Sequence, residues 1–167
     1  MPQFPKDKVE SAPKTDFYFI EANEPEKALS LVLRLACESI PDRFGFDRLE
    51  EIQVLTPMQR GVLGSRNLNA ILQQALNPTG PAVERYGWTF RAGDKVMQTV
   101  NNYDKDVFNG DIGRIVKLDE IDQEVTVHFD DRQVIYDFQE LDELVLSYAT
   151  TVHKAQGSEY PALILPL

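Results

Sequence analysis

From Phe90 onward the chain abandons helical spacing for a two-residue period, and this change narrows the possible folds more than any other feature. The runs KVMQTV, GRIVKL, EVTVHF and QVIYDF alternate apolar and polar residues, and Asn-Gly-Asp, Glu-Ile-Asp-Gln and Asp-Asp-Arg part them. A period of two turns one face of each segment to a core and the other to water, as in antiparallel strands bounded by turns. Residues 90–144 are therefore expected to form a small antiparallel β unit of the SH3-like barrel kind.

The chain before Phe90 reads differently. DFYFIEA (Asp16–Ala22) is aromatic and β-branched and predicts a strand. NEPEKALSLVLRLACESI predicts a helix, with Asn23 as its cap, Pro25 in its first turn and Glu24 and Glu26 at its positive end. Ala28, Leu31 and Leu35 recur there at helical spacing. PDRFGFDRLE reads as a loop, and EIQVLTP as a strand closed by Pro57. GSRNLNAILQQALNP predicts a second helix, capped by Ser65 or Asn67, with Leu68, Ile71, Leu72 and Ala75 on one face and Asn77-Pro78 at its end. Strand–helix–strand–helix is the pattern of a parallel α/β sheet. Two apolar runs near the end, LVLSYA and ALILPL, read as further strands, so the β unit is expected to interrupt an α/β domain. Residues 1–15, polar and Pro-rich, read as a loose leader.

At 43% hydrophobic and 26% charged residues, the composition is that of a soluble globular protein. No apolar run approaches the roughly 20 residues of a membrane span, and the N-terminus lacks a signal-peptide h-region. One cysteine, Cys37, cannot form an internal disulfide and reads as a buried structural thiol, which fits a cytoplasmic setting. The net charge of −10 argues against a general polyanion binder. It leaves room for a local groove, small or completed by another domain, because phosphate contacts depend on local charge.

Between the last two apolar runs lies TTVHKAQGSE. Thr150, Thr151, His153 and Lys154 offer hydroxyl, imidazole and ammonium donors of the kind that bind phosphate oxygens. Gly157 permits close approach or a positive φ. Glu159 offers an acceptor for a ribose hydroxyl or a basic partner. Open α/β sheets bind ligands at the carboxyl ends of their strands, where this run is expected. The competing reading is a surface helix turn with polar caps. Other site chemistries fare worse. Two histidines, His128 and His153, and one cysteine make no zinc set. There is no G-x-x-x-x-G-K-[ST] loop, and Gly61 and Gly64 do not form a G-x-G-x-x-G fingerprint. His128 reads as an ordinary strand histidine. The carboxylates read as a solvated face, with no catalytic pair among them.

Three stretches carry a family resemblance. YATTVHKAQGSEYPALILPL resembles motif V of superfamily 1 DNA helicases of the RecD-like branch, the exodeoxyribonuclease V alpha subunit and its relatives. VLTPMQRGVLGSRNLNAILQQALNP resembles motif IV and its following helix, and FRAGDKVMQTVNNYDKDVFNGDIGRIV the start of that branch's SH3-like insertion. The resemblance implies an α/β chain: a second RecA-like motor domain, with the parallel sheet of P-loop NTPases, built from 16–89 and 145–167 and carrying an SH3-like domain at 90–144. It implies that Thr151 and His153 face the DNA backbone, assisted by Lys154. Gln156, Gly157 and Glu159 would then lie toward the nucleotide and the domain interface, and Pro57, Met58, Gln59 and Arg60 near the cleft. Asn109 and Gly110 match the loop of the insertion that touches DNA in relatives, although an Asn-Gly turn beside Phe108 is equally a tight hairpin.

The same resemblance implies an ATP-dependent helicase acting in DNA recombination and repair. Its partners would be single-stranded DNA, a first motor domain and other exonuclease V subunits. ATP and Mg²⁺ would be held mainly by that first domain, because Walker A, Walker B, motif III and motif VI are not found in this chain. The apolar end is accordingly expected to be a cut through a longer protein, inactive as an ATPase by itself. The rival reading is a protein-interaction adaptor, an SH3-like module on an α/β platform. An adaptor has no need of TTVHKAQGSE at a strand end.

Overall fold

The computed structural model describes residues 16–167, so the leader expected over 1–15 lies outside the described residues. Three strands, β1 (Ile52–Thr56), β9 (Ala149–Thr151) and β10 (Ala162–Ile164), form a parallel sheet in the order β10-β1-β9. β1 is buried at all five positions, as befits the central strand of a sheet covered on both faces. Between β1 and β9 the chain builds a five-stranded antiparallel sheet. Its strands are β4 (Lys95–Gln98), β5 (Ile112–Asp119), β6 (Glu124–Phe129), β7 (Arg132–Asp137) and β8 (Leu144–Leu146), in the order β7-β6-β5-β4-β8. Burial alternates along β5, β6 and β7, following the two-residue period of the sequence, while β4 is buried throughout; Val96, Ile115, Val125, Val127 and Tyr136 turn into one core.

The sequence expectations need several corrections. Asp16–Ala22 forms no strand: it runs outside all three sheets, with Phe17 and Phe19 about four-fifths exposed at 79% and 82%. Its aromatic character serves side-chain contacts instead. Tyr18 meets Phe44 edge-on at 6.2 Å, and the Arg43 guanidinium lies over the Tyr18 ring. The first helix, α1 (Pro25–Arg34), has Glu24 rather than Asn23 at its cap, and no side chain caps it. It continues through a π-turn (Leu35–Ser39) into α2 (Ile40–Phe44), where a loop was expected. The π-turn ends two residues before Pro41, whose ring does not fit a regular α turn against the Cys37 carbonyl. Cys37 sits in this turn half-buried rather than buried, and burial pushes its thiol pKa up.

The helix α3 (Ser65–Leu76) buries Leu68, Asn69, Leu72 and Gln73. Ala75 is exposed, so the buried face is rotated from the purely apolar one. Neither Ser65 nor Asn67 caps it: Gly64 holds the cap position, and Asn67 donates to the Val62 carbonyl at 2.7 Å. The two buried amides act at long range. Asn69 donates to the Ala149 carbonyl at 2.7 Å and accepts from the Ala149 N–H at 3.0 Å, across 80 residues of sequence. LVLSYA is not one strand but two part-strands. Leu144–Leu146 pairs antiparallel with β4, and after Ser147 and Tyr148 the chain joins β1 as β9. A short hairpin, β2 (Ala82–Arg85) with β3 (Trp88–Arg91), precedes the larger sheet and was not foreseen.

Asp94 ties these parts together. It is fully buried and accepts from Gln73 and Asn77 at the end of α3, from the Tyr148 hydroxyl, and from the Arg91 N–H, all between 2.6 and 2.8 Å. Burial raises its pKa, and these four donors oppose the rise. The Tyr148 hydroxyl is held far above the ordinary tyrosine range by the same burial and by the neighbouring carboxylate. Among the described residues no helix is long and apolar enough to cross a membrane.

Candidate nucleic-acid interface

Parallel pairing brings two polar loops to one edge. Thr56, the last residue of β1, is in register with Thr151, the last residue of β9. Both strands run the same way, so the segments after them leave the sheet side by side, at the carboxyl ends where such sheets bind ligands. The first loop is drawn tight by Thr56, whose hydroxyl donates to the Leu63 carbonyl at 2.7 Å and accepts from the Met58 N–H at 3.2 Å. Gly64 closes it. A Cβ there would lie 2.5 Å from the Arg60 backbone, so no other residue fits without displacing the loop. Pro57, Met58, Gln59 and Arg60 stand exposed on the outer side of this turn.

The second loop starts with a single 3₁₀ turn, Val152–Ala155. Ala155 is buried and anchors the turn, while His153 and Lys154 project into solvent. Gln156, Gly157, Ser158 and Glu159 follow, all exposed, with Gly157 at φ +84° as the sharp reversal requires. Thr151 is half-buried at the cap position of the turn but makes no side-chain cap bond, so capping does not account for it. Thr150 departs from expectation. Its side chain is buried and its hydroxyl has no partner, which removes it from the solvent-facing donors.

Asn109 and Gly110 lie on a separate loop of the antiparallel sheet. They are the central pair of a β-turn in which Asp111 N–H donates to the Phe108 carbonyl at 3.0 Å, with Gly110 at φ +99°. The Asn-Gly pair is thus a turn but not the tight hairpin weighed from the sequence, because residues 99–111 separate β4 from β5; the Asn109 side chain is exposed at the tip of the turn. Tyr103 stands on the same loop, 78% exposed and edge-on to Phe108 at 5.9 Å. Glu143 fastens the loop by accepting from Asn102 and from Gln98, which in turn accepts from the Tyr136 hydroxyl. No group of three or more His, Cys, Asp or Glu among the described residues is arranged to hold a metal ion.

Two residues near the edge escaped the sequence reading. Lys95 opens β4 with only 7% of its surface exposed, and its ammonium has no hydrogen-bond partner. It lies 5.7 Å from the ring centroid of Tyr160, the half-buried residue that follows Glu159. Burial lowers the Lys95 pKa to about 8, against the pull of Glu50 and Asp47. The signal was the pair Asp94-Lys95 at the head of a strand otherwise apolar enough to be buried on both faces.

The family described as the ATP-dependent RecD-like DNA helicase SH3 domain matches residues 68–129. The "ATP-dependent RecD2 DNA helicase" of Deinococcus radiodurans is 42% identical over 113 residues, which make up 68% of this chain. The chain spans only 16% of that relative's length. Among solved structures, a Pif1 helicase from Bacteroides in complex with ADP-AlF3 and single-stranded DNA aligns with a TM-score of 0.54 at 18% identity. That alignment covers 86% of this chain and 43% of the other, and it is a likeness of fold.

Proposed function

Since the chain belongs to the RecD-like DNA helicases, we propose that it is part of the DNA-tracking motor of an ATP-dependent helicase. In this reading 16–89 and 145–167 make a second RecA-like motor domain, and 90–144 an SH3-like domain inserted into it. The observation that carries the reading is the register of Thr56 with Thr151, which sets two exposed polar loops side by side at the carboxyl edge of a parallel sheet.

Each loop then has a task. His153 and Lys154, with Thr151 behind them, supply donors to the phosphates of single-stranded DNA. Asn109 and Gly110 offer a second contact from the inserted sheet. Gln59, Arg60, Gln156, Gly157 and Glu159 face the bound nucleotide and a first motor domain. Exposed Gln59 and Arg60 suit the outer oxygens of ATP. In this reading ATP and Mg²⁺ are held chiefly by the other motor domain. The chain by itself is expected to hydrolyse no more ATP than buffer. A place in DNA recombination and repair, in the cytoplasm and alongside exonuclease V subunits, follows from the same reading.

The test is a titration of fluorescent single-stranded DNA at low and moderate salt, for the chain and for H153A/K154A. The log of the affinity should fall with log salt by about 0.7 per phosphate contacted, and the double variant should bind less tightly with a shallower slope. Undiminished binding by the variant would refute the role given to this loop.

A further inference from the structure

We propose that Lys95 is a positioning residue that locks the 152–160 loop to the inserted sheet through the ring of Tyr160. A buried cation without an acceptor costs stability that an apolar side chain of similar length would not. The aromatic face offsets part of that cost. The Glu50 and Asp47 carboxylates also attract the Lys95 charge, without hydrogen-bonding it, and the Tyr160 ring is the group that it faces in the loop. The Lys95 backbone is fixed, with its carbonyl accepting from the Ser147 N–H at 2.9 Å, and its neighbour Asp94 holds α3 and Tyr148. Between buried Ala155 and β10, the backbone bonds among the described residues are Ser158 N–H to the Ala155 carbonyl and Ala162 N–H to the Glu51 carbonyl. Tyr160 stands between them. With the ring held, the exposed stretch 156–159 is short and His153 and Lys154 keep one orientation. With it released, the stretch is longer and their presentation blurs. The consequence for DNA rests on the function proposed above; the lock itself does not.

Hydrogen exchange on the 167-residue chain without DNA tests the lock, in wild type, K95M, Y160F, Y160L and K95M/Y160L. Losing a buried cation–π contact should speed exchange across 156–160 about fivefold in K95M and Y160L. Y160F keeps the ring and should match wild type, and the double variant should be no faster than either single. The denaturation midpoint of K95M should equal or exceed that of wild type. Unchanged exchange in K95M, equal acceleration in Y160F and Y160L, or a lower K95M midpoint would each overturn the proposal. Single-strand affinity is then measured on Y160L, which alters no charge. A loss of about threefold that Y160F lacks supports the positioning role. Full affinity with accelerated exchange would refute the DNA role of the loop and leave the lock standing.

Discussion

Replacing Asp94 by alanine should loosen the protein where the parallel and the five-stranded sheets meet. The carboxylate accepts from four donors: the Gln73 and Asn77 amides, the Tyr148 hydroxyl and the Arg91 N–H. An unsatisfied buried donor costs about 1–3 kcal/mol. Two of the four bonds are only part-buried, and water entering the vacated space will satisfy some of these groups. Taking the low end for all four gives about 4 kcal/mol, less the desolvation of the lost carboxylate, so about 3 kcal/mol is expected. Asp94→Asn should cost less. Its NH₂ can donate to the Tyr148 oxygen, leaving Asn77 as the one opposed donor, at about 1–2 kcal/mol. Urea unfolding followed by the fluorescence of Trp88 measures both, with exposed Asp104→Ala as a control expected within about 0.5 kcal/mol of wild type. A loss below about 1 kcal/mol for Asp94→Ala, or an Asp94→Asn variant less stable than Asp94→Ala, would refute the claim that four donors depend on this group.

Two further outcomes follow from the same geometry. Gly64→Ala drives a methyl into the Arg60 backbone and should cost about 1–3 kcal/mol by thermal unfolding, with the single-strand affinity falling as the 57–64 loop shifts. Lys95 has its native pKa lowered to about 8 from 10.5, so between those values the unfolded chain holds a proton the native one has lost, and stability rises with pH. Wild type should gain about 2 kcal/mol on Lys95→Met between pH 7 and pH 9.5, and comparing the two cancels the raised tyrosines, which act oppositely above pH 10.

What could be read from the sequence was whatever burial alone decides. Strands β5 to β7 are half-buried and alternate, so their period appears directly in the residues. The polar run after β9 was conspicuous because it sits where an apolar pattern stops. What could not be read depends on partners far along the chain. Asn69 and Gln73 look like surface residues of α3 until Ala149 and Asp94 arrive to receive them, and so Ala75 was put on the wrong side. LVLSYA looks continuous because both its halves are buried, although each pairs with a different sheet. Asp16–Ala22 has the composition of a strand, but it runs outside the sheets and its Tyr18 ring packs on Phe44 and Arg43 instead. Lys95 gives no signal of its own in the sequence, because the ring it faces, Tyr160, lies beyond the whole inserted sheet.

The paired bonds between Asn69 and Ala149 have a bearing on self-association. β9 lies at one edge of the parallel sheet, where an unpaired backbone invites another chain to add a strand. The Asn69 amide meets both the N–H and the carbonyl of Ala149, as the main chain of an incoming strand would. A helix side chain thus fills the place of the missing neighbour, and the sheet is stopped from growing on that side. Among the described residues the β10 edge carries no such plug, so an Asn69→Leu variant would uncover the β9 edge and leave both sides of the three-stranded sheet able to take on a strand.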